Sequence, residues 1–223
     1  MVGLILMEKG LRMQIVCVES IDSTHLFLCE QIRKGKLSEN FAIYALEQSA
    51  GVGSRENSWQ SSKGNLHLSF CVKDENLPKD LPLASVSIYF AYLLKELLEK
   101  YGSKIWLKWP NDLYLEDKKV GGIISAKISN FIIGGVGLNL KFAPQNVALC
   151  DVEIPLESLV NAFLEKVEKK ILWKDIFSKY MLEFEKSRKF SVHHEGRVFS
   201  LENSFLYEDG SILLGDKRVY SLR

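Results

Sequence analysis

Three apolar segments that follow one another closely constrain the fold of this chain most. The sequence predicts strands over residues 104–109, 120–128 and 131–137, and short polar turns separate them. Three strands joined by short turns indicate an antiparallel or mixed sheet, because neighbouring parallel strands need long crossover connections. A mixed sheet is therefore the starting point for the architecture.

Helical periodicity identifies the segments that should pack on this sheet. Apolar residues recur at helical spacing over 82–101, where Asp80 could cap the beginning of the helix and Gly102 could end it. Two amphipathic helices are predicted at 156–171 and 176–184. The helices should close one face of the sheet, so the sequence predicts an α/β fold of the α+β type, a mixed β-sheet backed by helices.

The N-terminal part of the sequence has polar residues where a strand passes into a helix. Strands are predicted over 14–18, 41–46 and 65–72, and residues 22–24 supply N-cap chemistry for a helix after the first of them. The loop 48–63 is roughly 16 residues long, and a compact domain rarely keeps such a loop without a function. It is the first candidate site. The apolar positions predicted for the helix include Leu26, Cys29 and Ile32.

Short strands and turns replace the helices in the last part of the chain. The pairs Glu195-Gly196, Asp209-Gly210 and Gly215-Asp216 are typical of hairpin turns. We therefore predict two domains, a main domain of residues 1–188 and a small C-terminal β domain of residues 189–223.

Charge and cysteine content argue against several classes of partner. Lysine and arginine total 29 against 28 acidic residues, so the chain has no electrostatic footprint for nucleic acid or a membrane surface. The 4 cysteines form no CxxC pair, which argues against zinc ligation and a redox motif and is typical of buried thiols in a reducing cytosol. We expect a cytoplasmic protein that binds neither DNA nor membranes.

The first residues, 1–11, contain an apolar run that is too short to span a membrane and has no basic stretch before it. We therefore expect no signal peptide. A clean strand pattern begins at Met13, so a translation start at Met13 instead of Met1 stays open.

The segment KWPND at 108–112 combines residue types that packing alone does not explain. Pro110 should end the apolar strand and project Asn111 and Asp112 from a defined edge. Lys119 follows seven residues later, and a hairpin would bring it back toward Asp112. A fixed ammonium near a carboxylate can stabilise phosphate or acyl charge, although an ordinary strand end with an Asx turn is the alternative.

A glycine-rich segment covers residues 134–139. It lacks the GxGxxG spacing of dinucleotide-binding loops and the lysine of a P-loop, so it is a weak nucleotide signature. Its glycines could let a ligand lie against the sheet, with Asn139 supplying amide hydrogen bonds. A plain glycine-rich strand end is the alternative.

The motifs taken together resemble those of biotin protein ligases from about Cys17 to Leu140. The combination of KWPND with the following KKVGGII is the most specific part of the match. The other matching segments are Ser23-Thr24, residues 48–55 with Trp59, residues 64–69 and residues 135–139. The resemblance is to the short form of the family, without the N-terminal DNA-binding domain that some members carry.

This resemblance implies a fold, a reaction and partners. The main domain would be a biotin- and ATP-binding catalytic domain, and the C-terminal domain would be SH3-like. The enzyme would use biotin, ATP and Mg²⁺ to form biotinyl-5'-AMP and then transfer biotin to a lysine of the biotin carboxyl carrier protein of acetyl-CoA carboxylase. Family members can form homodimers by extending their sheets.

Site residues follow from the resemblance, motif by motif. Lys119, Asp112 and Arg55 would be catalytic, Asp112 by orienting the incoming lysine or managing its proton. ATP or the adenylate would contact Ser54, Arg55, Lys119 and Asn139. Magnesium would be held by phosphates and water, with no metal site built from protein ligands alone. Biotin would contact Ser23, Thr24, Gln48, Gly51, Gly53, Trp59, Lys119 and Gly122.

The chain departs from the family pattern in two places. The family loop usually reads GRGRxGRxW, but Val52, Ser54 and Asn57 stand where arginines are expected and Arg55 is the arginine that remains. A charge-assisted hydrogen bond contributes about 1.5–3 kcal/mol, so the loss of one phosphate contact predicts adenylate retention that is about 10- to 100-fold weaker. His25 replaces the asparagine that usually follows the Ser-Thr pair.

Two other functions fit parts of the sequence. Lipoate ligases and octanoyltransferases resemble biotin ligases in fold, although their motifs differ from KWPND. A non-catalytic module that binds biotin or senses an adenylate is conceivable because arginines are missing from the loop.

Overall fold

A mixed sheet forms the centre of the molecule in the computed structural model, which describes residues 4–6, 13–54 and 57–221. Within these residues the sheet has eight strands in the order β1-β2-β3-β4-β8-β7-β6-β5. Neighbouring strands pair antiparallel except for β2 and β3, which are parallel. The predicted mixed sheet is confirmed. The strands are β1 (Leu4–Leu6), β2 (Gln14–Ile21), β3 (Phe41–Gln48), β4 (Leu66–Lys73), β5 (Trp106–Lys108), β6 (Asp112–Leu115), β7 (Lys118–Ile128) and β8 (Phe131–Leu138).

Helices cover both faces of this sheet. The strand β4 shows why, because Leu68 and Phe70 belong to one hydrophobic core and Cys71 belongs to another on the opposite face. Helix α1 packs against the second core, whereas α2, α3 and α4 pack against the first. The helices are α1 (Thr24–Arg33), α2 (Val86–Lys100), α3 (Leu156–Glu168) and α4 (Trp173–Phe184).

The predicted apolar face of α1 is wrong at one position. Leu26 is 52% exposed, and Leu28 is buried instead, together with Cys29 and Ile32. Residues 28, 29 and 32 lie on one face of α1 because of their helical spacing, and residue 26 lies on the other side.

The predicted cap of α2 is also wrong. Asp80 accepts hydrogen bonds from the backbone N–H groups of Trp173 and Lys174, both at 3.0 Å, and so caps α4. A 3₁₀ turn over Leu83–Ser85 precedes α2 instead. Gly102, with a φ of 93°, ends α2 as predicted.

Short strands follow α4, and the predicted hairpin turns connect them. Glu195-Gly196 joins β9 to β10, and Gly215-Asp216 joins β12 to β13. Val192 and Ile212 contribute to the same hydrophobic core as the large sheet. The SH3-like description and the division after residue 188 stay predictions. These strands are β9 (Ser191–His194), β10 (Arg197–Ser200), β11 (Phe205–Leu206), β12 (Ile212–Leu214) and β13 (Lys217–Val219).

The four cysteines are free thiols, of which Cys29 and Cys71 are buried. Cys17 and Cys150 are partly exposed, so the prediction of buried thiols is wrong for these two. Across the described residues, the helices are too short or too polar to traverse a bilayer.

Candidate functional site

A solvent-open cleft of about 470 Å³ lies between the first turn of α1, the loop 49–65, β7 and β8. It brings together residues that are up to about half the chain apart, because the sheet order places β8 and β7 beside β4. The predicted site residues that line it are Ser23, Thr24, Gln48, Gly53, Ser54, Trp59, Asp112, Lys119 and Gly122.

A network of polar side chains forms one end of the cleft. Gln48 Oε1 accepts hydrogen bonds from the backbone N–H of Thr24 at 2.9 Å and from its hydroxyl at 3.0 Å. The Thr24 hydroxyl has one hydrogen, so Ser69 Oγ donates to it across 2.8 Å. Gln48 Nε2 donates to Ser61 Oγ at 3.1 Å. This end therefore has both donors and acceptors in fixed positions.

Ser23 has a structural task beside this network. Its hydroxyl accepts a hydrogen bond from the Leu26 N–H at 3.3 Å and caps α1, and the side chain is buried. The sequence predicts no role for Ser61 or Ser69. The signal for Ser69 was present, because the period of two in β4 places it on the face opposite Leu68 and Phe70.

A charged pair lies farther along the cleft. Lys119 Nζ is 2.6 Å from Asp112 Oδ1, so the hairpin of β6 and β7 brings the two together as predicted. Asn111 braces this hairpin, since its side-chain N–H donates to Ile123 O at 2.5 Å and its carbonyl accepts from Ile123 N–H at 2.9 Å. An ammonium with one carboxylate partner and an open side is available to a ligand anion.

Two aromatic rings lie directly on glycines of β8. A Cβ at Gly137 would be 2.5 Å from the Trp59 indole, and a Cβ at Gly135 would be 2.9 Å from His25 Nδ1. These glycines therefore allow close approach of side chains of the protein. Both glycines also line the cleft, and the approach of a ligand to them stays a prediction. Trp59 Nε1 and His25 Nδ1 are buried and have no hydrogen-bond partner in the described structure.

The His25 ring is uncharged at neutral pH. Burial, with a smaller contribution from the nearby charge of Arg33, lowers the pKa of His25 to about 4. The cleft therefore has a neutral imidazole in its wall beside the Thr24 network.

Two of the predicted residues that the structure describes are not among those that line the cleft. Gly51 lies behind Trp59, whose backbone N–H donates to Gly51 O at 2.8 Å. Asn139 is buried, and its amide bonds to Asn65 and to Ala148 O at 3.4 Å each. Arg55 lies outside the residues that the structure describes.

A wider groove continues from the charged pair toward the C-terminal strands. It shares Asp112 and Lys119 with the cleft and reaches Lys108, His193 and Tyr220. This groove was not predicted from the sequence, because residues 191–193 and Lys108, which both line it, are far apart along the chain. Among the described residues, no group of three or more His, Cys, Asp or Glu side chains could hold a metal ion.

Comparison with known protein families shows to which family this chain belongs. The model of the biotin/lipoate A/B protein ligase family matches residues 17–142, which is more than half of the chain. The chain belongs to this family. The resemblance seen in the sequence is confirmed, and the residues that line the cleft of this chain all lie within the matched range.

Individual relatives support the same assignment. The bifunctional ligase/repressor BirA of Escherichia coli is 37% identical over 127 residues, which are 54% of this chain and 38% of BirA. The biotin--[acetyl-CoA-carboxylase] ligase of Mycobacterium tuberculosis is 28% identical over 60% of this chain and 52% of that protein. The match thus spans about half or less of these two relatives.

A solved structure of the family is similar over nearly its whole length. The biotin acetyl coenzyme A carboxylase synthetase of Helicobacter pylori, described with bound biotinylated ATP, is 36% identical, with a TM-score of 0.88. The similarity covers 92% of this chain and 98% of that one.

Proposed function

We propose that this chain is an ATP-dependent biotin protein ligase. It activates biotin to biotinyl-5'-AMP and transfers biotin to a lysine of the biotin carboxyl carrier protein of acetyl-CoA carboxylase. The observation that carries the proposal is the cleft itself, which joins the Thr24–Gln48 network at one end to the Lys119–Asp112 pair farther along. The similar Helicobacter pylori structure, described with biotinylated ATP, supports this choice.

The first step joins biotin to AMP. A carboxylate oxygen of biotin attacks the α-phosphorus of ATP, the bond between the α-phosphorus and the bridging oxygen breaks, and pyrophosphate leaves. The ureido ring of biotin bonds to Thr24 and Gln48, which holds its carboxylate in position for attack. Lys119 stabilises the negative charge that develops on the phosphate oxygens. Ser54, Asn139 and Arg55 are the residues proposed to contact the nucleotide.

The second step transfers the biotinyl group. The acceptor lysine amine attacks the carbonyl carbon of biotinyl-AMP, the bond from that carbon to the phosphate oxygen breaks, and AMP leaves. Asp112 orients the amine and accepts the proton that it loses. The groove past Lys108 and His193 gives an acceptor protein access to Asp112.

The remaining proposals concern metal and compartment. ATP would bring Mg²⁺, which keeps several water ligands and binds mainly through phosphates, and this fits a cleft without a carboxylate cluster in its described part. Four free thiols support a reducing compartment, the cytoplasm. A homodimer is compatible with the position of β1 at one end of the sheet that the described strands form.

A lipoate ligase is the second candidate, because the family includes both activities. The polar end of the cleft favours biotin. A ureido ring can form hydrogen bonds with Thr24, Gln48 and their serine partners. The dithiolane ring of lipoate has no strong donor or acceptor, so it would displace water from these polar groups without replacing the lost hydrogen bonds.

The test is biotin-dependent pyrophosphate exchange, together with mass spectrometry of a biotin carboxyl carrier domain. Wild type should add the mass of one biotin to one acceptor lysine, and Lys119→Ala should lose both activities while it keeps its folding transition. Lys118→Ala, an exposed neighbour on the same strand, is the matched control and should retain both. Exchange with lipoate alone would support the lipoate ligase, and exchange with neither substrate would support a binding module.

A further inference from the structure

The side chain of Asn65 holds the chain that leaves β8. Its Oδ1 accepts hydrogen bonds from three successive backbone N–H groups, those of residues 140, 141 and 142, each at 3.0 Å. Its Nδ2 donates to Phe142 O at 2.8 Å and to Asn139 Oδ1 at 3.4 Å. Asn65 is 1% exposed, so these bonds are shielded from water. One carboxamide therefore fixes the backbone of three consecutive residues and bonds to the side chain of the residue before them.

The segment that Asn65 fixes is also joined to the strand that carries Lys119. Asn139 N–H donates to Val120 O at 2.9 Å, and Ala148 N–H donates to Lys119 O at 2.8 Å. Residues 140–147 therefore form a loop with both ends attached next to Lys119. A nucleotide with its phosphates at Lys119 has this loop beside it.

One aromatic ring projects from this loop. Phe142 is 59% exposed, although its backbone N–H and C=O are both bonded to the Asn65 side chain. An exposed large apolar ring on a fixed backbone is a preformed stacking surface, and a flat purine is the part of ATP that can use it. Residues 140–155 contain no other aromatic side chain.

We propose that Asn65 is a positioning residue for the nucleotide. It holds residues 140–142 so that the Phe142 ring stacks on the adenine of ATP whose phosphates are at Lys119. The proposal rests on the proposed ATP-dependent activity, and it adds to that activity a residue that touches neither biotin nor the reacting atoms.

The first experiment compares Michaelis constants in biotin-dependent pyrophosphate exchange. Base–aromatic stacking predicts that Phe142→Ala raises the KM for ATP about tenfold and leaves the KM for biotin unchanged. Asn65→Ala should give the same split. The double variant should be no worse than the worse single variant, because the two residues act on one contact. An unchanged KM for ATP in Phe142→Ala, or additive effects in the double variant, would overturn the proposal.

A matched control separates positioning from general loss of structure. Asn40 also pins a backbone through its carboxamide, since its Oδ1 accepts from Lys73 N–H at 3.0 Å, and it does not line the cleft. Asn40→Ala should lower the melting temperature and leave both KM values unchanged. A rise in the KM for ATP equal to that of Asn65→Ala would contradict a specific role of Asn65.

A second readout does not depend on catalysis. Calorimetric titration with a non-hydrolysable ATP analogue should show an affinity loss of about tenfold in Asn65→Ala and in Phe142→Ala. Hydrogen exchange at residues 140–142 should become faster in Asn65→Ala alone. If wild type binds the analogue but shows no exchange activity, the ligase assignment fails while the Asn65 proposal is still tested. Equal analogue affinity in wild type and both variants would reject the Asn65 proposal.

Discussion

His25 and Gly135 constrain each other within the cleft. The imidazole lies so close to Gly135 that a Cβ there would be 2.9 Å from His25 Nδ1 and 3.0 Å from Ile124 Cγ1. The ring is thereby confined to a water-poor wall, where its charged form is unfavourable. This contact explains at the scale of one residue why the imidazole is neutral.

The pKa of His25 makes stability depend on pH. In the unfolded chain His25 titrates near its usual pKa of 6.5, whereas burial holds its pKa at about 4 in the folded protein. Between these values the unfolded state binds more protons, so the free energy of unfolding should fall as pH drops from 6.5 to 4. His25→Asn should remove part of this slope. Urea unfolding of wild type and His25→Asn at pH 7 and pH 5 measures this slope. Equal losses of unfolding free energy between the two pH values in both proteins would contradict the prediction.

Ser54 tests the effect of the missing arginines. It lines the cleft at a position where the family usually has arginine, so Ser54→Arg should restore one phosphate contact. A charge-assisted hydrogen bond of about 1.5–3 kcal/mol corresponds to release of biotinyl-AMP that is about 10- to 100-fold slower. Stopped-flow measurement of adenylate dissociation checks this. Ser58→Arg, on the exposed part of the same loop, should leave the rate unchanged, and equal rates for all three proteins would refute the prediction.

At the scale of elements, α4 depends on a cap from a distant loop. The Asp80 carboxylate bonds to the first N–H groups of α4, those of Trp173 and Lys174. Asp80→Ala should lower the free energy of unfolding by about 1–2 kcal/mol, the usual loss for an N-cap. Asp74→Ala, which breaks the exposed pair with Lys127, should change it by less than about 1 kcal/mol. Denaturant titration of both variants measures these losses, and equal losses in free energy of unfolding would contradict the prediction.

Local pattern predicted elements better than it predicted their partners. The proximity of Lys119 to Asp112 followed from the sequence because one hairpin produces it. The cap from Asp80 and the Ser69 bond to Thr24 did not, because each joins segments that are far apart along the chain. The strand β6 (Asp112–Leu115) was missed for another reason, since it is short and follows directly after the Pro110 turn.

At the scale of the whole molecule, the C-terminal strands share the core of the large sheet. Trp109 is fully buried, its backbone N–H donates to Ser187 Oγ at 3.1 Å, and its indole N–H donates to Gly210 O at 2.9 Å. Ser85 Oγ donates to Asp209 O nearby. Trp109, three residues before Asp112 of the charged pair, is therefore held by Ser187 and Gly210 from the last part of the chain.

Truncation tests whether the predicted domains fold separately. Removal of residues 189–223 would expose Trp109 and the core residues that pack against Val192, and would leave the Trp109 indole N–H without its acceptor. We therefore expect the shortened chain to lose its cooperative thermal transition. Trp109→Phe in the full chain removes only the indole bond and should lower the melting temperature by a few degrees. A truncated chain that still unfolds cooperatively would instead support independent domains.

The burial of Trp109 also limits how the KWPND segment can be reused in design. A protein engineer who copied residues 108–112 onto the edge of another sheet would transfer the carboxylate of the charged pair. The indole N–H of Trp109 would then lack the Gly210 carbonyl, and its backbone N–H would lack the Ser187 hydroxyl. The portable unit is consequently a discontinuous one, made of the strand end, the turn after α4 and the hairpin around residue 210. Grafts of residues 108–112 alone should contain the right side chains but hold them in the wrong positions.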